Sequence, residues 1–284
     1  MAALFIVLAG CTGLAEGVLI KRYNAKHEKG GFIFTALVSL FSMLFFVLAD
    51  KNGFFFPRGI FPYGLIGGVL YCSASFLTYV ALGCGSFAVS MLILSYAGVF
   101  SIVYGIAFLK ESISVFTCIG FVLIFVSLFL TRAVAREGEK RFSLKWLICI
   151  LLSVFGSGML GVLMRVQQRA FDGVCDNEFM IITLGFSAAV LLLFGIIKNG
   201  RDLWYILRHG GLYAAAAGVS NGATNAMGLV INTLMAISIS SPIRAGVKII
   251  LSFILSKLVF KEHFVPRQIV GVVLGGVALV FLNL

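Results

Sequence analysis

Glu16 stands in LAEGVLIKR, Leu14 to Arg22, an apolar run broken by one carboxylate shortly before its charged end. An acid at that depth costs about 2.5–3.5 kcal/mol against lipid and less against a wet cavity. It is either a group that exchanges a proton or holds a substrate cation, or an acid paired permanently with a buried base. Bases stand in SPIRAGVKIILSF, where Arg244 and Lys248 are four apart and so share one helical face. Two cations stacked in this way repel unless an anion or water sits close, which points to a cavity wall. Snorkelling toward head groups is the competing account. It suits Arg244, near Pro242, better than Lys248, which is followed by IILSFILS before the next charge at Lys257.

Asn221 and Asn225 in SNGATNAMG repeat the four-residue spacing, with Ser220 and Thr224 beside them. Tyr71, Ser73 and Ser75 occupy the corresponding place earlier, in YCSASF. Amides and hydroxyls in hydrocarbon need partners, while the small residues around them let helices approach. Packing accounts for the Ser, Ala and Gly content; the two asparagines are better explained as ligand-facing. Tyr96 adds a further aromatic and hydroxyl contact, and Tyr104 is either a second one or an interface anchor.

Reaction chemistry has no comparable foothold. No Ser/His/Asp constellation, HExxH or phosphate-binding loop occurs, and the three histidines (27, 209 and 263) fall outside the apolar centres. The six cysteines are scattered without metal-ligand spacing. No catalytic residue, metal or cofactor is expected, and no enzyme activity. The +11 net charge sits beside apolar blocks, where it meets lipid head groups, so nucleic acid is not an expected partner.

The elements that position these residues follow from hydropathy. The chain is 61% hydrophobic and only 12% charged, with a mean hydropathy of +1.09. Its apolar blocks run to about 18–25 residues, enough to cross a hydrocarbon core as helices. Ten spans are expected near 3–20, 31–49, 62–82, 86–109, 113–131, 145–168, 178–197, 209–229, 232–260 and 265–283. The first lacks a cleavage motif and reads as a retained span. Tight hairpins are expected at Gly83 to Ser86 and around Asn232. Arg165 and Arg169, with Gln167 and Gln168, extend the sixth span toward Asp172 and Asp176 as an interfacial end with surface ion pairs.

The halves match in order. GVLIK at 17–21 answers GVLMR at 161–165, and KNG at 51–53 answers KNG at 198–200. Phe32 and Leu37 answer Phe179 and Leu184; Tyr63, Gly68 and Val69 answer Tyr213, Gly218 and Val219; LKE at 109–111 answers FKE at 260–262, and Gly120 answers Gly271. The offset drifts only from 144 to 151 residues, where chance matches would scatter. The chain therefore divides into five spans over 1–134, a charged linker over 135–144 containing AREGEKR, and five spans over 145–284. An odd number of spans inverts the second copy, a common plan for alternating access. The fold expected is an all-α integral membrane protein of ten transmembrane helices in two inverted five-helix repeats. Basic residues concentrate in alternate loops and place both termini outside.

In this order, GLAEGVLIK, SFAVSMLILSYAGVFSIVYGIAFLKE with CIGFVLIF, and SISSPIRAGVKIILSFILSKLVFKE with IVGVVLGG resemble the drug/metabolite transporter superfamily, EamA type, over nearly the whole chain. The resemblance implies a ten-helix carrier whose cavity is lined by the first, third and fourth span of each half. It also implies cytoplasmic termini, opposite to the charge pattern. Leu160 at the position matching Glu16 means that any coupling acid exists in one copy only.

The function expected is a secondary transporter of a small polar or zwitterionic, amino-acid-like metabolite, in the plasma or inner membrane. Lys248 and Arg244 would attract an anion, Glu16 an amine or proton, and Asn221, Asn225, Tyr71 and Tyr96 would supply neutral contacts. The alternatives are a multidrug exporter of organic cations, a carrier of a phosphorylated or other anionic metabolite, and a membrane assembly component without transport. The expected partners are the substrate, the bilayer and protons, with a homodimer left open.

Overall fold

The computed structural model describes residues 2–27, 30–50, 53–109, 115–131, 143–200, 203–234, 237–260 and 265–281. Among these, all regular structure is α-helical: α1 (Ala2–Lys26), α2 (Gly31–Ala49), α3 (Ile60–Cys84), α4 (Phe87–Ser95), α5 (Gly98–Leu109), α6 (Val115–Thr131), α7 (Leu144–Ala170), α8 (Asp176–Asn199), α9 (Leu203–Leu234), α10 (Ile237–Val259) and α11 (Pro266–Phe281). By length and composition five of them, α1, α2, α3, α7 and α8, can each cross a membrane. Large apolar side chains such as Leu48, Trp204 and Leu212 point outward, as in a membrane protein. The linker expected at 135–144 lies outside the described residues except for its last two. The Lys–Glu turns at 110–111 and 261–262 lie wholly outside them.

Helix starts and stops follow local chemistry. Ser143 caps α7 by accepting a 3.1 Å hydrogen bond from the Trp146 amide, one of the donors that a first turn leaves unpaired. The Trp146 indole donates to Ser90 Oγ at 3.1 Å and so ties the start of α7 to α4. Gly30 precedes α2 at φ 81°, a left-handed conformation that glycine adopts without strain.

Three expected boundaries move. The stretch expected as one span over 86–109 is two helices, because the chain makes tight turns at Tyr96 and Ala97, whose amides bond back three residues to Ile93 and Leu94. Helix α9 starts at Leu203 and runs through Asn232 to Leu234, so the hairpin expected around Asn232 falls later.

Packing centres on α1, α2, α3, α7, α8 and α9. Helix α1 packs on α9, α2 on α8 and α9, and α3 on α7 and α8; α10 lies against α1 and α4, while α6 pairs with α11. Two glycines illustrate the close approaches between helices. A Cβ on Gly218 of α9 would meet the Val38 carbonyl of α2, and one on Gly68 of α3 would meet Phe186 of α8. At one end of the bundle Tyr23 stacks on Phe34 with ring centroids 3.9 Å apart, and Tyr79 and Tyr213 close round them. At the other end the C-terminal turns of α7 and α9 meet the start of α8 through Gln167, Gln168, Asp176 and Asn232.

Candidate functional site

Between these ends lies a cavity of about 310 Å³. Its walls follow helical spacing. Helix α1 presents Gly13, Glu16, Gly17 and Ile20, and α7 presents Ser157, Leu160, Gly161 and Met164. Helix α3 contributes Tyr71, Ala74 and Ser75; α9 contributes Asn221, Thr224 and Asn225; Ala97 and Lys248 come from the α4–α5 turn and from α10. Steps of three and four keep each set on one face.

Asn221 organises the polar groups. Its side-chain carbonyl accepts from Ser42 Oγ at 2.8 Å, the Tyr71 hydroxyl at 2.8 Å and Asn225 Nδ2 at 2.9 Å. Its amide nitrogen donates to Glu16 Oε1 at 3.0 Å. Three donors on one oxygen settle which way the amide points, and the amide then aims a donor at the carboxylate. Four helices meet at this one side chain. Thr12 and Thr224 share a 2.8 Å hydrogen bond next to it and join α1 to α9.

Lys248 lines the same cavity, close enough for its charge and that of Glu16 to act on each other. Among the described residues neither Lys248 nor Arg244 has a hydrogen bond or salt bridge, so Glu16 is not locked to a base. Arg244 lines an adjoining space of about 240 Å³. Lys248, Thr224, Ser157 and Gly161 form walls of both spaces. Six of the seven residues singled out in the sequence therefore meet here: Glu16, Tyr71, Asn221, Asn225 and Lys248 in the larger space and Arg244 next door.

Tyr96 is placed elsewhere. Its hydroxyl lies 2.8 Å from Ser127 Oγ, which donates to the Gly271 carbonyl at 2.6 Å, so Tyr96 helps clamp α4 to α6 and α11. Tyr104 stacks on Phe108 with centroids 5.1 Å apart. At the end of α7, Gln167 is fully buried and Gln168 nearly so, and Arg165 donates to the Asn232 carbonyl at 3.1 Å.

Ser42 was missed by sequence reasoning. It is the one hydroxyl in FSMLFF, and nothing in α2 announces that it faces Asn221.

The site suits reversible binding more than bond-making. It offers one carboxylate, one ammonium and a set of amides and hydroxyls in a space that holds a small solute. No protein-family profile and no curated protein matches the sequence. A solved structure described only as the crystal structure of a protein superposes with a TM-score of 0.63, over 96% of this chain and 95% of that one, at 14% sequence identity. At that identity the likeness is one of fold alone.

Proposed function

We propose that this chain is a secondary transporter of drug/metabolite transporter type, moving a small zwitterionic, amino-acid-like metabolite across a plasma or inner membrane by alternating access. In this reading the eleven helices make ten spans, α4 and α5 together forming the fourth, arranged as two inverted five-helix repeats. Matched positions of the two halves line one cavity, which supports the duplication. Gly13, Glu16, Gly17 and Ile20 answer Ser157, Leu160, Gly161 and Met164 at an offset of 144 residues, and Tyr71, Ala74 and Ser75 answer Asn221, Thr224 and Asn225 at 150. Ala97 and Lys248 are matched at 151. The packing of α1 on α9 is mirrored by that of α7 on α3, and the packing of α2 on α9 by that of α8 on α3.

The observation that carries the function is a carboxylate and an ammonium from opposite halves held in one cavity without a salt bridge between them. A zwitterion satisfies both at once: its amine takes Glu16 and its carboxylate takes Lys248. Substrate binding then draws the halves together, and release toward either side lets them rock apart. The break between α4 and α5 falls at this wall, where Ala97 lines the cavity. A cation exporter is less well served, since Tyr71 is the one aromatic side chain among the described lining residues and Lys248 repels the cargo.

Purified protein in liposomes tests this. Counterflow of zwitterionic amino acids is expected, reduced at least tenfold in K248Q, with proton-gradient-driven flux lost in E16Q. Absence of flux for any amino acid sinks the proposal. Full proton-driven flux in E16Q removes Glu16 from the coupling step.

A further inference from the structure

We infer that the preferred substrate carries one amine and two anionic groups, the second anion being held by Arg244. This rests on the transport reading above and narrows its substrate class.

Charge balance is the first reason. Among the described residues that line the two joined spaces, Glu16, Lys248 and Arg244 are the charged ones. A guanidinium stays protonated in any protein setting, so the site holds two cations and one anion when Glu16 and Lys248 are ionised. A simple zwitterion answers Glu16 and Lys248 and leaves Arg244 uncompensated in a space of low dielectric. A solute with a net charge of −1 balances all three.

Geometry is the second. Arg244 and Lys248 are four residues apart on one helix, about 6 Å along the axis, which matches two anionic groups a few bonds apart on a small molecule. Lys248 belongs to the walls of both spaces, so a ligand anchored on it lies between Glu16 and the space that Arg244 lines. Around Arg244 the wall is made of small residues, Ala9, Gly10, Gly98 and Ala245, which leave room for a side-chain anion. Its guanidinium rests against Gly228. The planar fork takes a carboxylate or a phosphate through two parallel hydrogen bonds, which an ammonium cannot do.

The three groups thus divide one ligand: the amine to Glu16, oriented by Asn221; one anion to Lys248; the other to Arg244. The class comprises acidic amino acids and amino acids bearing a phosphate.

Ligand-induced thermal stabilisation of the full-length protein in detergent, with competition in the liposome assay, tests this with L-glutamate, L-glutamine, glutarate, O-phosphoserine and serine. The expected result is glutamate at least tenfold tighter than glutamine and than glutarate, or O-phosphoserine similarly ahead of serine. In R244Q the acidic preference collapses to within twofold; in K248Q acidic and neutral ligands weaken together. If R244Q cannot be purified folded, R244K serves: it keeps the charge, loses the fork, and is expected to lose most of the preference. Wild-type protein that binds neutral amino acids as tightly as acidic ones overturns this inference and leaves the transport reading standing, as does an R244Q or R244K protein with an unchanged preference. Binding and flux of none of the amino acids overturns both.

Discussion

The two ends of the bundle close by opposite chemistry. At one, Tyr23 is fully buried and stacks on Phe34 at an interplanar angle of 9°, with Tyr79 and Tyr213 packed round the pair. At the other, Gln167 is equally buried, yet its Oε1 and Nε2, Asp176 Oδ1 and Asn232 Oδ1 lack a well-formed hydrogen bond among the described residues. In the proposed duplication Tyr23 and Gln167 are the same position, 144 residues apart. The stacked ring faces lose nothing by being dry, and the Tyr23 hydroxyl is a single polar atom beside them. Amides pay a desolvation cost for every bond left unmade, and water that enters relieves it. Under the proposed transport cycle, the amide end is therefore expected to hydrate and part more readily than the aromatic end.

The largest expected effect is on the aromatic side. Tyr23→Ala removes a fully buried ring and is expected to lower stability by about 3–5 kcal/mol, read as a fall in detergent melting temperature. Gln167→Ala should lower it by less than half as much. Equal losses would break the comparison.

Water access separates the ends next. In a background without the six native cysteines, Q167C should react with a membrane-impermeant maleimide at least tenfold faster than Y23C. The reverse order would show the aromatic end to be the looser plug.

Gln167→Leu sharpens the same point from the other direction. It replaces amide atoms that lack a well-formed hydrogen bond by a side chain of similar size and, since the contact with Asp176 goes with them, is expected to stabilise the protein by no more than about 1 kcal/mol; in the proposed transport cycle it slows flux by holding that end shut. A loss of stability there would mean that buried water already satisfies the amide.

The smallest effect concerns the cations two residues before Tyr23 and Gln167. Lys21 lies over the Phe260 ring at 4.6 Å and the Phe87 ring at 5.8 Å, and so pins α1 to α4 and α10. Lys21→Ala is expected to cost about 0.5–1 kcal/mol, measured by the same melting assay. Its counterpart Arg165 instead binds a main-chain carbonyl, that of Asn232.

Much of the site was legible because charge in an apolar run is rare and expensive. Glu16 and Lys248 stand out on that ground alone, and the four-residue spacings of Arg244 with Lys248 and of Asn221 with Asn225 put each pair on one face before any coordinates. Hydropathy also marked most helices to within a few residues. It failed at Tyr96, where a turn interrupts a continuous apolar stretch, and at Leu203 and Asn232, where α9 continues beyond the expected span at both ends. It failed again at Gln167, because a polar residue near a helix end looks exposed until a neighbouring helix covers it.

Composition and periodicity determined that this chain folds into long apolar helices, and that a few ionisable groups must be sheltered among them. Each helix carries that information alone, since 3.6 residues per turn fix which side chains share a face. Which faces meet is a property of several helices at once. Only tertiary structure decided that Ser42 and Tyr71 converge on Asn221, that Lys248 lies near Glu16 without binding it, and that Tyr96 turns away to Ser127. These outcomes depend on distances between segments as much as two hundred residues apart, and no local pattern encodes them.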